Sequence, residues 1–138
     1  MVITKHVELT TQGNAQILDI PADVVRQFET AGLQDGVVTL FTPSSTSALT
    51  TIEYESGVVH DLQRFFERVA PEGMEYEHHL RWGDANGHAH VRHTIQGPSL
   101  SIPFVEGRMT LGTWQQIVFI DFDEKPRSRS IVVQVMGE

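Results

Sequence analysis

With 138 residues, 40% of them hydrophobic, the chain can bury one core but not two, so residues 1–138 are expected to form a single domain. Ten Lys and Arg against eighteen Asp and Glu leave a net charge of -8, which opposes a basic groove for phosphate backbones and argues against nucleic acid as a partner. The absence of cysteine excludes disulfides, thiolate zinc sites and cysteine nucleophiles, and it suits a cytoplasmic protein. Any metal must therefore be held by His, Asp, Glu or carbonyl oxygen.

Met1 to Leu9 lacks the uninterrupted apolar run of a signal peptide, and no other segment reads as a membrane span. Ile3, Val7 and Leu9 recur with a period near two, and Gln16 to Ile20 continues after Gly13-Asn14, so the first twenty residues are expected to form a hairpin. Pro21 then opens a short helix carrying Val24, Val25, Phe28 and Ala31 on one stripe, with Gly32 placed for a left-handed cap. Gly36 to Thr42 reads as a buried strand, broken by Pro43 and the hydroxyl run Ser44 to Ser47. A second amphipathic helix spans Gly57 to Val69 and ends before Pro71.

From His88 the chain reads as strands at His88–Ile95, Ser99–Val105, Thr110–Leu111, Trp114–Phe122 and Ser130–Met136. The expected class is α+β, mainly β: an antiparallel β-sandwich, jelly-roll-like, with two helices. Ile117 to Ile120 and Ile131 to Val133 are apolar on both faces and require a cover from helices, a second sheet or another subunit.

Five of the seven histidines lie at His78, His79, His88, His90 and His93. On a strand His88 and His90 project together and can present two imidazoles to one divalent ion, zinc or magnesium, with His78 and Asp84 from the preceding connection completing the sphere. Exposed histidines that bind nothing produce the same pattern. Glu53 and Glu55 share an i, i+2 relation that offers paired carboxylates for acid-base work, or acidic groups complementing a helix start. Ser45 and Thr46 lie in a hydroxyl-rich loop suited to an anion but lacking a phosphate-loop signature. Trp114 and Gln115 can line a pocket, with core packing as the alternative for the indole. Arg127 and Arg129, with Arg92 and Arg108, can clamp a phosphorylated substrate or pair with Asp121, Asp123 or Glu124.

Several segments together carry a resemblance: TIEYE at Thr51 to Glu55, YEH at Tyr76 to His78, WGDANGHAHVR at Trp82 to Arg92, GPSLSIPF at Gly97 to Phe104, LGTWQQIVFIDFD at Leu111 to Asp123 and RSIVVQVMGE at Arg129 to Glu138. On them the chain resembles the YjbQ family over nearly its whole length. The resemblance implies a homotrimer with a histidine cluster that looks like a metal site. It also implies a secondary thiamine-phosphate synthase activity, which joins a pyrimidine diphosphate to a thiazole phosphate with loss of pyrophosphate. His78, Asp84 and His90 match shared positions, whereas His88 matches one branch. Many members have a histidine where this chain has Ser45, in the segment Ser45 to Ala48, which puts the synthase activity in doubt here. The expected function is a metal-dependent enzyme acting on a small phosphorylated metabolite, with His78, His88 and His90 as ligands and Glu53, Glu55 and Asp84 in catalysis. The competing expectation is a noncatalytic trimeric protein that binds a ligand or an ion.

Overall fold

A computed structural model describes residues 1–83 and 85–138, with every side chain there except those of Pro21 and Trp82. The strands are β1 (Val2–Thr11), β2 (Gln16–Asp19), β3 (Gly36–Phe41), β4 (Ser47–Ile52), β5 (Ser99–Val105), β6 (Arg108–Met109), β7 (Gln116–Asp121) and β8 (Arg127–Gly137). The helices among the described residues are α1 (Pro21–Glu29), α2 (Ser56–Val69), α3 (Glu77–Trp82) and α4 (Gly87–Gln96). All strand pairs are antiparallel, in one sheet of order β1-β8-β3-β5-β6 and another of order β2-β7-β4. The fold is thus α+β and mainly β, with four helices where two were expected.

β7 explains the layering. Its alternate residues Ile117 and Phe119 join Val38, Leu40, Phe104, Ile131 and Val133 of the larger sheet in one core, which α1 closes with Val24 and Phe28. Val118 and Ile120 point the other way, into a second cluster with Phe66 of α2 and Ala89 of α4. Both faces of this apolar strand are therefore covered from within the chain, by a second sheet and by helices, and β7 needs no other subunit for its burial.

The hairpin expected at the N-terminus does not form. β1 pairs with β8, with Val7 opposite Ile131, while β2 pairs with β7 in the other sheet. Three successive residues with positive φ, Gly13, Asn14 and Ala15, carry the chain from one sheet to the other instead of reversing it. A Cβ at Gly13 would lie 2.5 Å from the Asp123 carbonyl oxygen, so the crossing is tight enough to need glycine. The Asn14 N–H donates to that same carbonyl at 2.6 Å.

The second departure is larger: His88–Ile95, expected as a strand, is the body of α4, and α3 precedes it. The alternation of histidine with Ala89 and Val91 imitates a strand, but the buried residues are His88, Ala89 and Arg92, which is helical spacing. Arg92 ties α4 to α2 by donating to the Ala70 carbonyl at 3.0 Å and to Glu67 at 2.8 Å. The His93 Nδ1 meets the Ser47 carbonyl at 2.6 Å and fastens α4 to β4. These tertiary contacts outweigh the weak helix propensity of a segment rich in histidine.

Smaller differences concern ends. β4 was not expected. β6 falls at Arg108–Met109 rather than Thr110–Leu111, and β7 begins at Gln116 rather than Trp114. A turn closes Gly112 to Gln115, where the Gln115 N–H donates to the Gly112 carbonyl at 3.0 Å, so Trp114 sits on the turn, 70% exposed, and not in the core. Among the described residues no helix is long and apolar enough to cross a membrane.

Candidate functional site

The start of β8, the residues after β7, the β3–β4 loop and the start of α4 meet around a cleft of about 410 Å³. Asp121 and Asp123 leave β7 two residues apart, and Arg127 and Arg129 enter β8 two residues apart, so each pair shares a face and the turn between them sets the pairs opposite one another. The Arg129 guanidinium grips Asp121 in a fork, Nε to Oδ2 at 2.8 Å and an Nη to Oδ1 at 2.9 Å. Its remaining N–H groups donate to the Ser44 hydroxyl at 3.0 Å and the Thr46 hydroxyl at 2.9 Å. Thr46 passes its own proton to Asp123 at 3.1 Å, and Ser47 donates to Ser44 at 2.8 Å.

This network decides which groups remain open to the cleft. Ser44, Thr46 and Arg129 are engaged within the protein. Arg127 pairs with Asp123 at 3.0 Å, yet its side chain is 42% exposed against 12% for Arg129, so it retains donors open to the cleft. Burial raises the pKa of Asp123, but the Glu124 N–H, the Thr46 hydroxyl and Arg127 outweigh it and hold the carboxyl below its usual range. Asp123 is therefore an anchoring carboxylate for Arg127. Ser45, exposed at the cleft, has no internal hydrogen bond to its hydroxyl among the described residues.

The expected histidine site is only partly assembled. His90 lines the cleft, and its ring lies 4.5 Å from that of His78, centroid to centroid. That spacing lets both imidazoles reach a single ion at metal–nitrogen distances of about 2.0–2.1 Å. His88 does not line this cleft. Two residues along a helix turn the side chain by about 200°, not the full circle of a strand repeat, so His88 points into the interior while His90 points to the cleft. Among the described residues no three His, Asp or Glu side chains form a metal-holding group, so His78, His88 and His90 do not converge as expected; of the three, His78 and His90 have neighbouring rings. Asp84, expected to complete the sphere, lies outside the described residues.

The remaining expected residues lie away from this cleft. Glu55 caps α2, its carboxylate accepting from the Gly57 N–H at 2.8 Å and the Val58 N–H at 2.5 Å. This is the helix-start role of an acidic residue. Glu53 is exposed just after β4. Gln115 uses its amide on the Gly112 N–H at 2.8 Å and the Thr51 hydroxyl at 3.3 Å, and lines a separate cavity of about 130 Å³ with Leu100 and Thr110. Ser44 and Asn86 were not among the expected site residues. The pairing of Arg127 and Arg129 with Asp121 and Asp123, one of the two roles expected of these arginines, is found.

His88 has a consequence for stability. Its Nδ1 is buried without a hydrogen-bond partner among the described residues, and burial together with Arg92 lowers its pKa. The unfolded chain then binds the proton more readily, so stability contributed by neutral His88 is present above about pH 6.5 and is lost as pH falls towards the folded value. The midpoint of thermal unfolding should decline from about pH 7.5 to about pH 5, and His88→Gln should make that decline shallower. An unchanged slope in the variant would exclude His88 as its source.

Comparison with known proteins places these features. Residues 5–138 match the family model described as UPF0047 protein YjbQ-like. A UPF0047 protein of Archaeoglobus fulgidus is 38% identical over 128 residues, covering 93% of this chain and 97% of its own. The UPF0047 protein YugU of Bacillus subtilis is 30% identical over 134 residues, covering 96% and 98%. Among solved structures, a YbjQ-like protein of unknown function from Sulfolobus solfataricus superimposes with a TM-score of 0.90 at 26% identity over the whole of both chains. A hypothetical protein from Aeropyrum pernix gives a TM-score of 0.88 at 33% identity, covering 97% of this chain and 99% of that one.

Proposed function

The chain belongs to the YjbQ-like UPF0047 family, and from that premise we propose that it is a metal-dependent enzyme acting on a small phosphorylated metabolite. The observation that carries the reading is the meeting, in one cleft, of His90, whose ring lies beside that of His78, with an Arg127 guanidinium that keeps donors facing the cavity. His78 and His90 would hold the divalent ion, with Asp84 as the third ligand; two imidazoles favour zinc over magnesium. When bound, the ion neutralises charge on phosphoryl oxygens. Arg127 binds the anion, Asp123 holds Arg127 in place, and the Asp121–Arg129 pair keeps the Ser44–Thr46 loop in shape around it. A guanidinium presenting two parallel N–H groups suits phosphate better than an ammonium does.

Synthesis of thiamine phosphate is the narrower form of this proposal, qualified by the serine at position 45. A noncatalytic protein binding an ion or an anionic ligand in the same cleft is the second reading, supported by the lack, among the described residues, of three side chains grouped to hold a metal. We also read the two sheets as the halves of a sandwich, because they share one core cluster. Homotrimeric assembly and a cytoplasmic location belong to the same proposal, exposed Trp114 and Val105 offering apolar surface to another copy.

The test is elemental analysis of purified protein loaded with zinc, alongside titration with inorganic phosphate. His90→Ala should lower zinc occupancy at least about tenfold, His88→Ala should leave it unchanged, and Arg127→Ala should weaken phosphate binding about tenfold. Full occupancy in His90→Ala would remove the metal site. Unaltered phosphate affinity in Arg127→Ala would remove the phosphate reading.

A further inference from the structure

We infer that the cavity between α1 and the β5–β6 hairpin binds a free α-amino acid with a large apolar side chain. The cavity measures about 270 Å³ and shares no lining residue with the cleft that holds Arg127 and His90, so the inference stands apart from the phosphate reading. Val25 and Phe28 of α1 give it one apolar wall and Met109 and Leu111 another, while Glu29 and Arg108 add one charge of each sign. Both charged residues are exposed, and neither forms an ion pair or a side-chain hydrogen bond among the described residues. Small-molecule sites begin at about 300 Å³, so a cavity of this size suits an amino acid better than a nucleotide.

Both walls are fixed from within the protein. Phe28 is buried with its ring edge to face against Phe104, centroids 4.9 Å apart, which seats α1 on the larger sheet. Across the cavity, Glu106 and Gly107 take positive φ of 49° and 70°. The Gly107 N–H donates to the Gln34 carbonyl at 2.8 Å and the Glu106 N–H to the Asp35 carboxylate at 3.1 Å. A non-glycine residue keeps such a conformation only where its surroundings impose it, so Arg108 and Met109 leave a rigid corner.

The charges choose the ligand. Glu29 is the last residue of α1, where a carboxylate opposes the helix dipole and a cation is favoured. An ammonium group there answers both Glu29 and the end of the helix. Arg108 offers a guanidinium fork to a carboxylate. An uncharged apolar compound answers neither charge and a peptide terminus answers one. A free amino acid answers both, and its side chain covers the apolar walls.

NMR titration of the full chain with L-leucine tests the assignment, with isocaproate, which lacks the ammonium group, and isoamylamine, which lacks the carboxylate, as controls. Leucine should bind at millimolar concentration and about fivefold more tightly than either control, the upper end of what an exposed ion pair contributes. Glu29→Gln should weaken leucine about fivefold and leave isocaproate unchanged, and Arg108→Gln should weaken leucine equally and leave isoamylamine unchanged. Arg127→Ala should not alter leucine affinity, which separates this site from the phosphate cleft. No leucine binding at tens of millimolar, or an affinity unmoved by both variants, would overturn the inference. So would a loss confined to one variant, which would point to a ligand of a single charge, or isocaproate binding as tightly as leucine, which would leave a plain apolar groove. If Met109→Glu dissociates an assembly in sedimentation while leucine shifts no resonance of the cavity, the cavity is a contact between copies and the inference falls.

Discussion

Replacing Arg129 by methionine should destabilise the protein by about 3–5 kcal/mol in urea unfolding, because it strands a fully buried carboxylate. Asp121 accepts two bonds from the guanidinium, a third from the Thr11 hydroxyl at 2.5 Å and a fourth from the Asp123 N–H at 3.0 Å. Taking away the arginine leaves a charge that two neutral donors cannot compensate in a poorly solvated place. The Ser44 and Thr46 hydroxyls lose their donor in the same change. The double variant Arg129→Met with Asp121→Leu should recover most of the loss, since neither charge then remains buried, and that coupling distinguishes electrostatics from poor packing. A single variant within about 1 kcal/mol of the wild type would show that the pair does not matter to the fold. Phosphate affinity should also fall in the single variant, through the loosened β3–β4 loop and not through a lost contact.

Phe66→Ala should cost a comparable amount, about 3–5 kcal/mol, through the cavity it opens. Phe66 is 1% exposed, and its ring meets Phe122 edge to face, with centroids 4.7 Å apart and planes inclined by 66°. This contact holds α2 on the outer face of the smaller sheet, and the next turns of α2 hold α4 through Glu67, Ala70 and Arg92. The adjacent Phe65 is 49% exposed, so Phe65→Ala should be far milder. Equal losses in the two variants would contradict the assignment of Phe66 to the core. Native-state hydrogen exchange should show α2 and α4 losing protection together in Phe66→Ala, which would connect the packing of a phenylalanine to the geometry around His90 and Asn86.

Much of this molecule was legible along the chain wherever a local period had a single interpretation. The stripe from Val24 to Phe28, the helix ending at Val69 and the strands at Gly36–Phe41 and Ser99–Val105 are found where apolar spacing, proline and glycine put them. The histidines between His78 and His93, and the family to which the chain belongs, were equally plain. Their arrangement was not. A step of two residues means the same face on a strand and nearly opposite faces on a helix, so the role of His88 turned on whether its segment formed α4.

Nothing within ten residues of His88 settles that question; Arg92 reaching Ala70 and Glu67, and Ala89 packing under β7, settle it. The same holds for the strand partners, because Gly13 to Ala15 look like a hairpin turn until Asp123 is seen to occupy the space above them. Residue periodicity and composition are properties of neighbours in the chain and so predicted elements and burial, while the resemblance of whole segments carried the family. The cleft joins Ser45, Asn86, His90 and Arg127 across more than eighty residues of sequence, and only the pairing of distant strands and the seating of α4 against them bring those groups to one cavity.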